Sequence, residues 1–251
     1  MPDPHDNWDD HWDRYAHSAS QNPAQRMRHK LIAALLRGGA ADAMRLFDIG
    51  SGQGDMLTML RPVFPSAEFF GAELSVSGVE ISRRKVPDAT FLVADLFAPP
   101  PEIARFQGWA TDAVCSEVLE HVDDPAAFLR AARPYLADGA RLVVTVPGGP
   151  MSAFDKHIGH RQHFTRVSIA RVLEGAGFTV DRVLLSGFPF FNLYRLAVIA
   201  RGEKLAQDVE SSGGKSSSAA SLLMAVFRFL FHFNLSNSPF GWQVLAVAHK
   251  S

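Results

Sequence analysis

Leu46-Phe47-Asp48-Ile49-Gly50-Ser51-Gly52-Gln53-Gly54-Asp55 decides the fold: an apolar strand runs into three glycines and then into a helix over Met56 to Leu60. Glycine admits positive φ and lets a ligand approach the backbone, while a helix start offers spare N–H groups and a partial positive charge. The arrangement is a cradle for a small molecule. A Gly-rich turn alone is a weak signal, and spacing strengthens it. Glu73 ends the next apolar run, Ala67 to Ala72, about 20 residues beyond the last glycine, where a ribose-binding carboxylate belongs in a nucleotide fold. A dinucleotide fingerprint asks for a small residue at position 55. Asp55 stands there instead, an acid that would face a pyrophosphate unfavourably.

Outward from this stretch the chain alternates strand and helix. Strands are expected at 45–49, 68–72, 90–94, 112–116, 140–146 and 179–185, with a last strand from Trp242 to Ala248. Helices fall between them, most clearly Pro125 to Leu136, with apolar spacing at Phe128, Leu129, Ala132 and Leu136 and with Gly139 closing the region. Thr165 is placed to cap a further helix, Arg166 to Gly175. Alternation of this kind implies a doubly wound, parallel α/β sheet. Two later strands carry acids at their carboxyl ends. Phe91-Leu92-Val93-Ala94 leads to Asp95, and Asp112-Ala113-Val114-Cys115-Ser116 leads to Glu117 and on to Glu120-His121-Val122.

With these residues in view, the stretch from about Arg45 to Phe178 resembles the class I S-adenosylmethionine-dependent methyltransferases. The resemblance implies that Asp48, Gly50, Ser51, Gly52 and Gly54 hold the methionine end of the cofactor and that Glu73, with Leu74 beside it, takes the ribose hydroxyls. It implies that Asp95 and the Leu96 backbone meet the adenine, and that Ser116, Glu117 and His121 line the transfer site. The Glu120-His121-Val122 continuation is similar to the small-molecule branch typified by quinone-biosynthesis methyltransferases. The family fold is a Rossmann-like seven-stranded, mostly parallel sheet with helices on both faces and its last strand antiparallel beside the fifth. Any one of these acids, read alone, is also a solvated strand end or a helix cap.

Composition suits a globular enzyme, with 47% hydrophobic and 20% charged residues. A net charge of −1 gives no electrostatic footprint for nucleic acid. The single cysteine, Cys115, sits in an apolar strand, where it reads as a small buried hydrophobe in a reducing compartment. The first 30 residues are acidic and aromatic rather than basic and then apolar, so no signal peptide is expected and the location is cytoplasmic, with peripheral membrane contact as the alternative.

Three regions lie outside the family core. Residues 1–40 form an N-terminal helical segment with Trp8, Trp12 and Tyr15 and then Met27, Leu31, Ile32, Leu35 and Leu36, either packed on the core or acting as a lid. Residues 41–186 are the cofactor-binding core. After the fifth strand, Asp155-Lys156-His157-Ile158-Gly159-His160-Arg161-Gln162-His163 brings three histidines at intervals of three. No metal is expected, because Gly159 argues against a helix and no carboxylate set accompanies the histidines. A general base is the sharper reading, His160 first and His157 or His163 second, since imidazole titrates near neutrality. Residues 187–239 read as an apolar insertion, with a Ser/Gly tract at 211–218 that is a flexible linker by composition, and Leu222 to Phe233 as a buried helix, a substrate roof, a homodimer contact or an interfacial membrane helix. Residues 240–251 hold the final core strand. The function expected is methyl transfer from S-adenosyl-L-methionine to a hydroxyl or amine of a fairly apolar small molecule. The alternatives are a non-catalytic S-adenosylmethionine-binding module and an NAD-dependent oxidoreductase.

Overall fold

The computed structural model describes Asp9 and residues 22–37, 44–202 and 218–251. Trp8, Trp12 and Tyr15, and the Ser/Gly tract over 211–217, lie outside the described residues.

Strands β1 (Arg45–Ile49), β2 (Glu68–Glu73), β3 (Thr90–Val93), β4 (Ala110–Ser116), β5 (Leu136–Pro147), β6 (Phe178–Ser186) and β7 (Gln243–Lys250) make one sheet in the order β3-β2-β1-β4-β5-β7-β6. The first five pair in parallel, and β7 runs antiparallel to both β5 and β6. This is the Rossmann-like order expected above, including the last strand beside the fifth.

Alternating side chains divide the core into two layers. Phe47, Ile49, Ala113, Cys115, Leu142, Val144 and Ala246 point to one face, where α4 (Pro125–Ala132) contributes Leu129 and α6 (Arg166–Gly175) contributes Ile169 and Leu173. Leu46, Val114, Val143 and Leu245 point to the other, against Ile32 and Leu36 of α1 (Pro23–Arg37), Leu57 of α2 (Asp55–Leu60) and Val79 of α3 (Val76–Lys85). Because both faces are covered, the central strands read as continuous apolar runs, which is what made them legible.

Two boundaries differ from expectation. The helix begun at Pro125 stops at Ala132 and tightens into a 3₁₀ turn over Arg133–Tyr135, since Pro134 has no N–H to continue the ladder. Leu136 and Gly139 belong to β5, and Gly139 at φ 73° sits where the register slips between Ala110–Leu136 and Asp112–Arg141; it serves a bulge and not a helix end. Thr165 does cap α6, in a reciprocal box with Ser168.

The insertion between β6 and β7 holds α7 (Phe190–Arg201) and α8 (Ser218–Leu230). Phe191, Phe227 and Phe231 bury themselves with Ala24 and Met27 of α1, with Tyr194 and Trp242 at the margin. The opposite face of α8 remains exposed at Leu222, Leu223, Val226 and Phe229. Among the described residues no helix is long and apolar enough to cross a membrane.

Candidate active site

Strand order reverses between β1 and β4, and in an open α/β sheet the crevice beyond the carboxyl ends at that point is where ligands bind. The Gly-rich loop leaves β1 there. Gly50, Gly52 and Gly54 all take positive φ (74°, 53° and 76°), as the sequence requires. The space beside two of them is occupied by the protein itself. A Cβ on Gly50 would lie 2.6 Å from Val118 Cγ2, and one on Gly54 2.9 Å from Ser82 Oγ. These glycines let the loop pack against the β4 turn and α3, so ligand access is not what demands them. Helix α2 is also only six residues long, so its dipole contributes little, and the loop amides of Gly50, Ser51, Gly52 and Gly54 donate within the protein, to Ala72 O, Ser51 O and Glu73.

Glu73 braces the loop from β2. Its carboxylate accepts from Gly52 N at 2.9 Å and from Ser75 N at 3.0 Å. Asp9 reaches the same corner, accepting from Ser75 Oγ at 2.5 Å and Ser77 N at 3.1 Å. Asp48, 2% exposed, has one oxygen without a hydrogen-bond partner, as does Ser51 at its hydroxyl. Burial, with the charge of Glu73 added, pushes the Asp48 carboxyl up to about 7.

Asp55 does not face this space as an open charge. Lys85 pairs with it at 2.6 Å, and Gln53 and Gln25 donate to its other oxygen. Its sequence argument against a pyrophosphate is therefore not carried by the structure. Asp95 is exposed and accepts from Phe97 N at 2.9 Å, the local turn bond expected of a strand-end acid; Leu96 is buried beside it and Leu74 is exposed.

On the other side of the crevice, β4 ends in Glu117 at φ 56°, the one non-glycine residue of positive φ among the described residues. Such strain persists where surrounding bonds over-determine it. Here Thr145 Oγ1 (3.2 Å) and Gln243 Nε2 (3.0 Å) donate to one carboxylate oxygen, and Arg28 from α1 lies 3.5 Å from the other. Ser116 shares a 2.9 Å hydrogen bond with Thr145. Sequence reading missed Arg28, Thr145 and Gln243, because a strand-interior threonine and polar residues 89 and 126 positions from Glu117 by chain order carry no local mark of a shared site.

The histidine loop closes the same end. Its short helix α5 (Ala153–His157) stops at His157, which is exposed, and Gly159 turns at φ 88°. His160 and His163 are brought together (Nδ1 to Nε2, 3.2 Å), and His163 Nδ1 lies 3.1 Å from Gly149 O. The His121 ring stands edge-on to His160 at 4.8 Å. Burial and the neighbouring His121 push the His160 imidazole down to about 3, so it does not titrate near neutrality and the reason for preferring it as general base falls away. The carboxylates found wanting beside the histidines arrive from elsewhere. Glu120 comes from the β4 turn, while Asp155 caps α5 and is gripped by Arg195 at 2.9 and 2.7 Å. Burial works against its ionisation, but Arg195 and Ser152 hold its carboxyl down to about 2.

A family pattern described as "Methyltransferase domain" matches residues 19–183. Demethylmenaquinone methyltransferase of Thermus thermophilus is 34% identical over 129 residues, covering 49% of this chain and 56% of that one. Trans-aconitate 2-methyltransferase of Methylobacterium radiotolerans is 31% identical over 135 residues, covering 51% and 50%. The chain thus spans about half the length of these relatives. In fold it is similar to a geranyl diphosphate methyltransferase solved with its diphosphate and sinefungin, with a TM-score of 0.58 at 16% identity over 90% of this chain and 79% of that one. The pattern match takes in β1 to β5 and their crevice, and the chain belongs to the methyltransferase-domain family.

Proposed function

We propose that this chain transfers a methyl group from S-adenosylmethionine to a hydroxyl, or less readily an amine, of a fairly apolar small molecule. The observation that carries the reading is the crevice at the β1/β4 switch point, set in a chain of this family. At the cofactor end its spare buried atoms include one oxygen of Asp48 and that of Ser51. The acid pair Asp48 and Glu73, 2% and 8% exposed, suits a cofactor bearing amine and hydroxyl donors and a sulfonium, and suits a phosphate poorly.

When bound, S-adenosylmethionine supplies an electrophilic methyl whose leaving group is already activated. What remains for the chain is to bind, align and exclude water. Asp48 and Ser51, in the space shaped by the turn from Gly50 to Gly54, would hold the amino-acid end, Glu73 the ribose, and Asp95 with Leu96 the adenine. Glu117, fixed by Thr145, Gln243 and Arg28, would orient the acceptor. The apolar character of the acceptor is supported by the aromatic group of Phe191, Tyr194, Phe227 and Phe231, which rests on the same helix α1 that delivers Arg28 to Glu117.

The test is equilibrium binding of S-adenosylhomocysteine against NAD, followed by transfer of a labelled methyl to a panel of apolar phenols, alcohols and amines. Tight S-adenosylhomocysteine binding with label on a hydroxyl is expected. NAD binding, or cofactor binding without transfer to any acceptor class, overturns the reading.

A further inference from the structure

We propose that Glu120, His121 and His160 form a binding site for a divalent transition-metal ion, zinc before others, at the acceptor end of the crevice. Each of the three offers a donor atom, and these atoms lie within 4.8 Å of one another. Zinc bonds of about 2 Å give a tetrahedral edge of about 3.3 Å, which small side-chain rotations reach from that spacing. One carboxylate and two imidazoles is also a set with which zinc keeps an exchangeable fourth position.

Glu120 is the strongest single observation. It is 0% exposed, and neither of its carboxylate oxygens has a hydrogen-bond partner. Arg28, whose charge also reaches Glu120, pairs with Glu117 instead. A buried carboxylate is expensive unless a cation or a set of donors meets it. A metal ion meets that need.

The histidine pair supplies the orientation. Gly149 O can only accept, so His163 presents its N–H there through Nδ1; with His163 neutral, its Nε2 accepts from His160 Nδ1. That leaves the Nε2 lone pair of His160 for a ligand, through the kind of relay that commonly fixes a metal-binding tautomer. The loop is stitched to the β4 turn by its backbone: Arg161 N donates to Glu120 O at 2.7 Å, and Gln162 Nε2 to Val122 O at 3.1 Å. His121 Nδ1, at 3.5 Å, is what a Cβ on Gly159 would meet, so the loop turns directly over this imidazole. A second grouping, Asp155 with His160 and His163, is the weaker cage. Asp155 is held by Arg195 and by both the amide and hydroxyl of Ser152, and His163 is committed to Gly149.

Such an ion, close to Glu117, is suited to polarising an acceptor hydroxyl; that consequence alone rests on the methyl-transfer reading. The test uses the whole chain, stripped with chelator, and zinc ion alone as the probe. Calorimetry and elemental analysis after gel filtration are expected to show stoichiometric zinc, and cobalt in its place is expected to give the visible bands of a four-coordinate site. Glu120→Gln and His160→Asn should each weaken zinc about tenfold or more, while His249→Asn, at a surface histidine paired with Asp181, should not. Circular dichroism checks that the variants fold; if Glu120→Gln does not, His160→Asn and the cobalt spectrum decide. No retained zinc, a six-coordinate cobalt spectrum, or zinc affinity unchanged in the folded variants overturns the site. Titrating S-adenosylhomocysteine on the same sample separates the two failures: zinc without it leaves the metal site and removes the methyl-transfer reading, and the converse removes the metal site alone.

Discussion

The two ends of the crevice are built in opposite ways. The cofactor end is local: Asp48, the three glycines and Glu73 fall within 26 consecutive residues, and their bonds run mostly to the loop itself, as in Glu73 to Gly52 N and Ser75 N. The acceptor end is assembled from four distant segments, with Arg28 from α1, Glu117 and Glu120 from the β4 turn, His160 from the loop after β5, and Gln243 at the start of β7. A local site is constrained by backbone geometry and can be read from spacing. An assembled site is constrained by tertiary contacts, and it can change its side chains without disturbing the sheet.

The sharpest way to break this contrast is to make one substitution at both ends. Gly50→Ala sets a Cβ at φ 74° and 2.6 Å from Val118 Cγ2, a side chain wedged between the two loops. Strain and overpacking together should cost about 2 to 5 kcal/mol of stability. Gly159→Ala meets nothing nearer than His121 Nδ1 at 3.5 Å, so only the left-handed backbone term of about 1 to 2 kcal/mol remains. Urea denaturation of the ligand-free proteins compares the two. Equal losses would remove the distinction between a braced and an assembled end.

Next in size is Asp48→Asn, which separates function from stability at the cofactor end. A carboxyl raised to about 7 binds its proton more tightly in the folded chain than in the unfolded one. Folding stability is therefore fully present below the ordinary carboxylate value and is lost as pH rises from about 4 to about 7. The amide should raise the melting temperature at pH 8 and leave it almost unchanged at pH 4, with the gain at pH 8 on the order of a few kcal/mol. S-adenosylhomocysteine affinity should fall about tenfold in the same protein, as expected when a charged hydrogen-bond partner is removed. A variant stabilised equally at both pH values would mean that Asp48 is not the strained acid of this end.

Glu73→Ala should follow, weakening S-adenosylhomocysteine by about 1 to 3 kcal/mol by calorimetry. Part of that loss belongs to the loop, since Gly52 N and Ser75 N lose their acceptor. Comparing Glu73→Gln, which can keep one of those bonds, with Glu73→Ala measures the share due to bracing. Unchanged affinity in both would take Glu73 out of the site.

The same division explains what the sequence disclosed. Strand order, the antiparallel last strand and the Thr165 cap were legible because each follows from periodicity, capping chemistry or the family resemblance. The end of α4 was misplaced because apolar spacing continued through Leu136 while Pro134 had already broken the ladder. Asp55 was given a role against phosphate that Lys85, 30 residues on, neutralises. The histidine loop was seen, but its carboxylate partner Glu120 lay 40 residues upstream of His160 in a stretch read as a mark of the small-molecule branch. For Asp55 and for Glu120 it was long-range pairing that defeated the reading.

The smallest effect belongs to Phe229 on the outward face of α8, and set against its inward neighbour Phe227 it tests whether that wall has one working face. Phe227 is 7% exposed and packs edge-on to Tyr194 at 5.3 Å, so Phe227→Ala should cost about 3 kcal/mol, as large-to-small changes in an aromatic core do. Phe229, two residues on, is 63% exposed, with Phe233 its only ring neighbour among the described residues. Phe229→Ser should shift stability by less than about 0.5 kcal/mol and leave the acceptor Michaelis constant unchanged. Aspartate at the two positions should widen the gap, since only at 227 does the new carboxylate enter a dry site. Urea midpoints and acceptor kinetics on the four variants decide it. If Phe229→Asp raises the Michaelis constant as much as Phe227→Asp does, the outward face of α8 also meets the acceptor, and the assembled end extends one layer further than the buried cluster indicates.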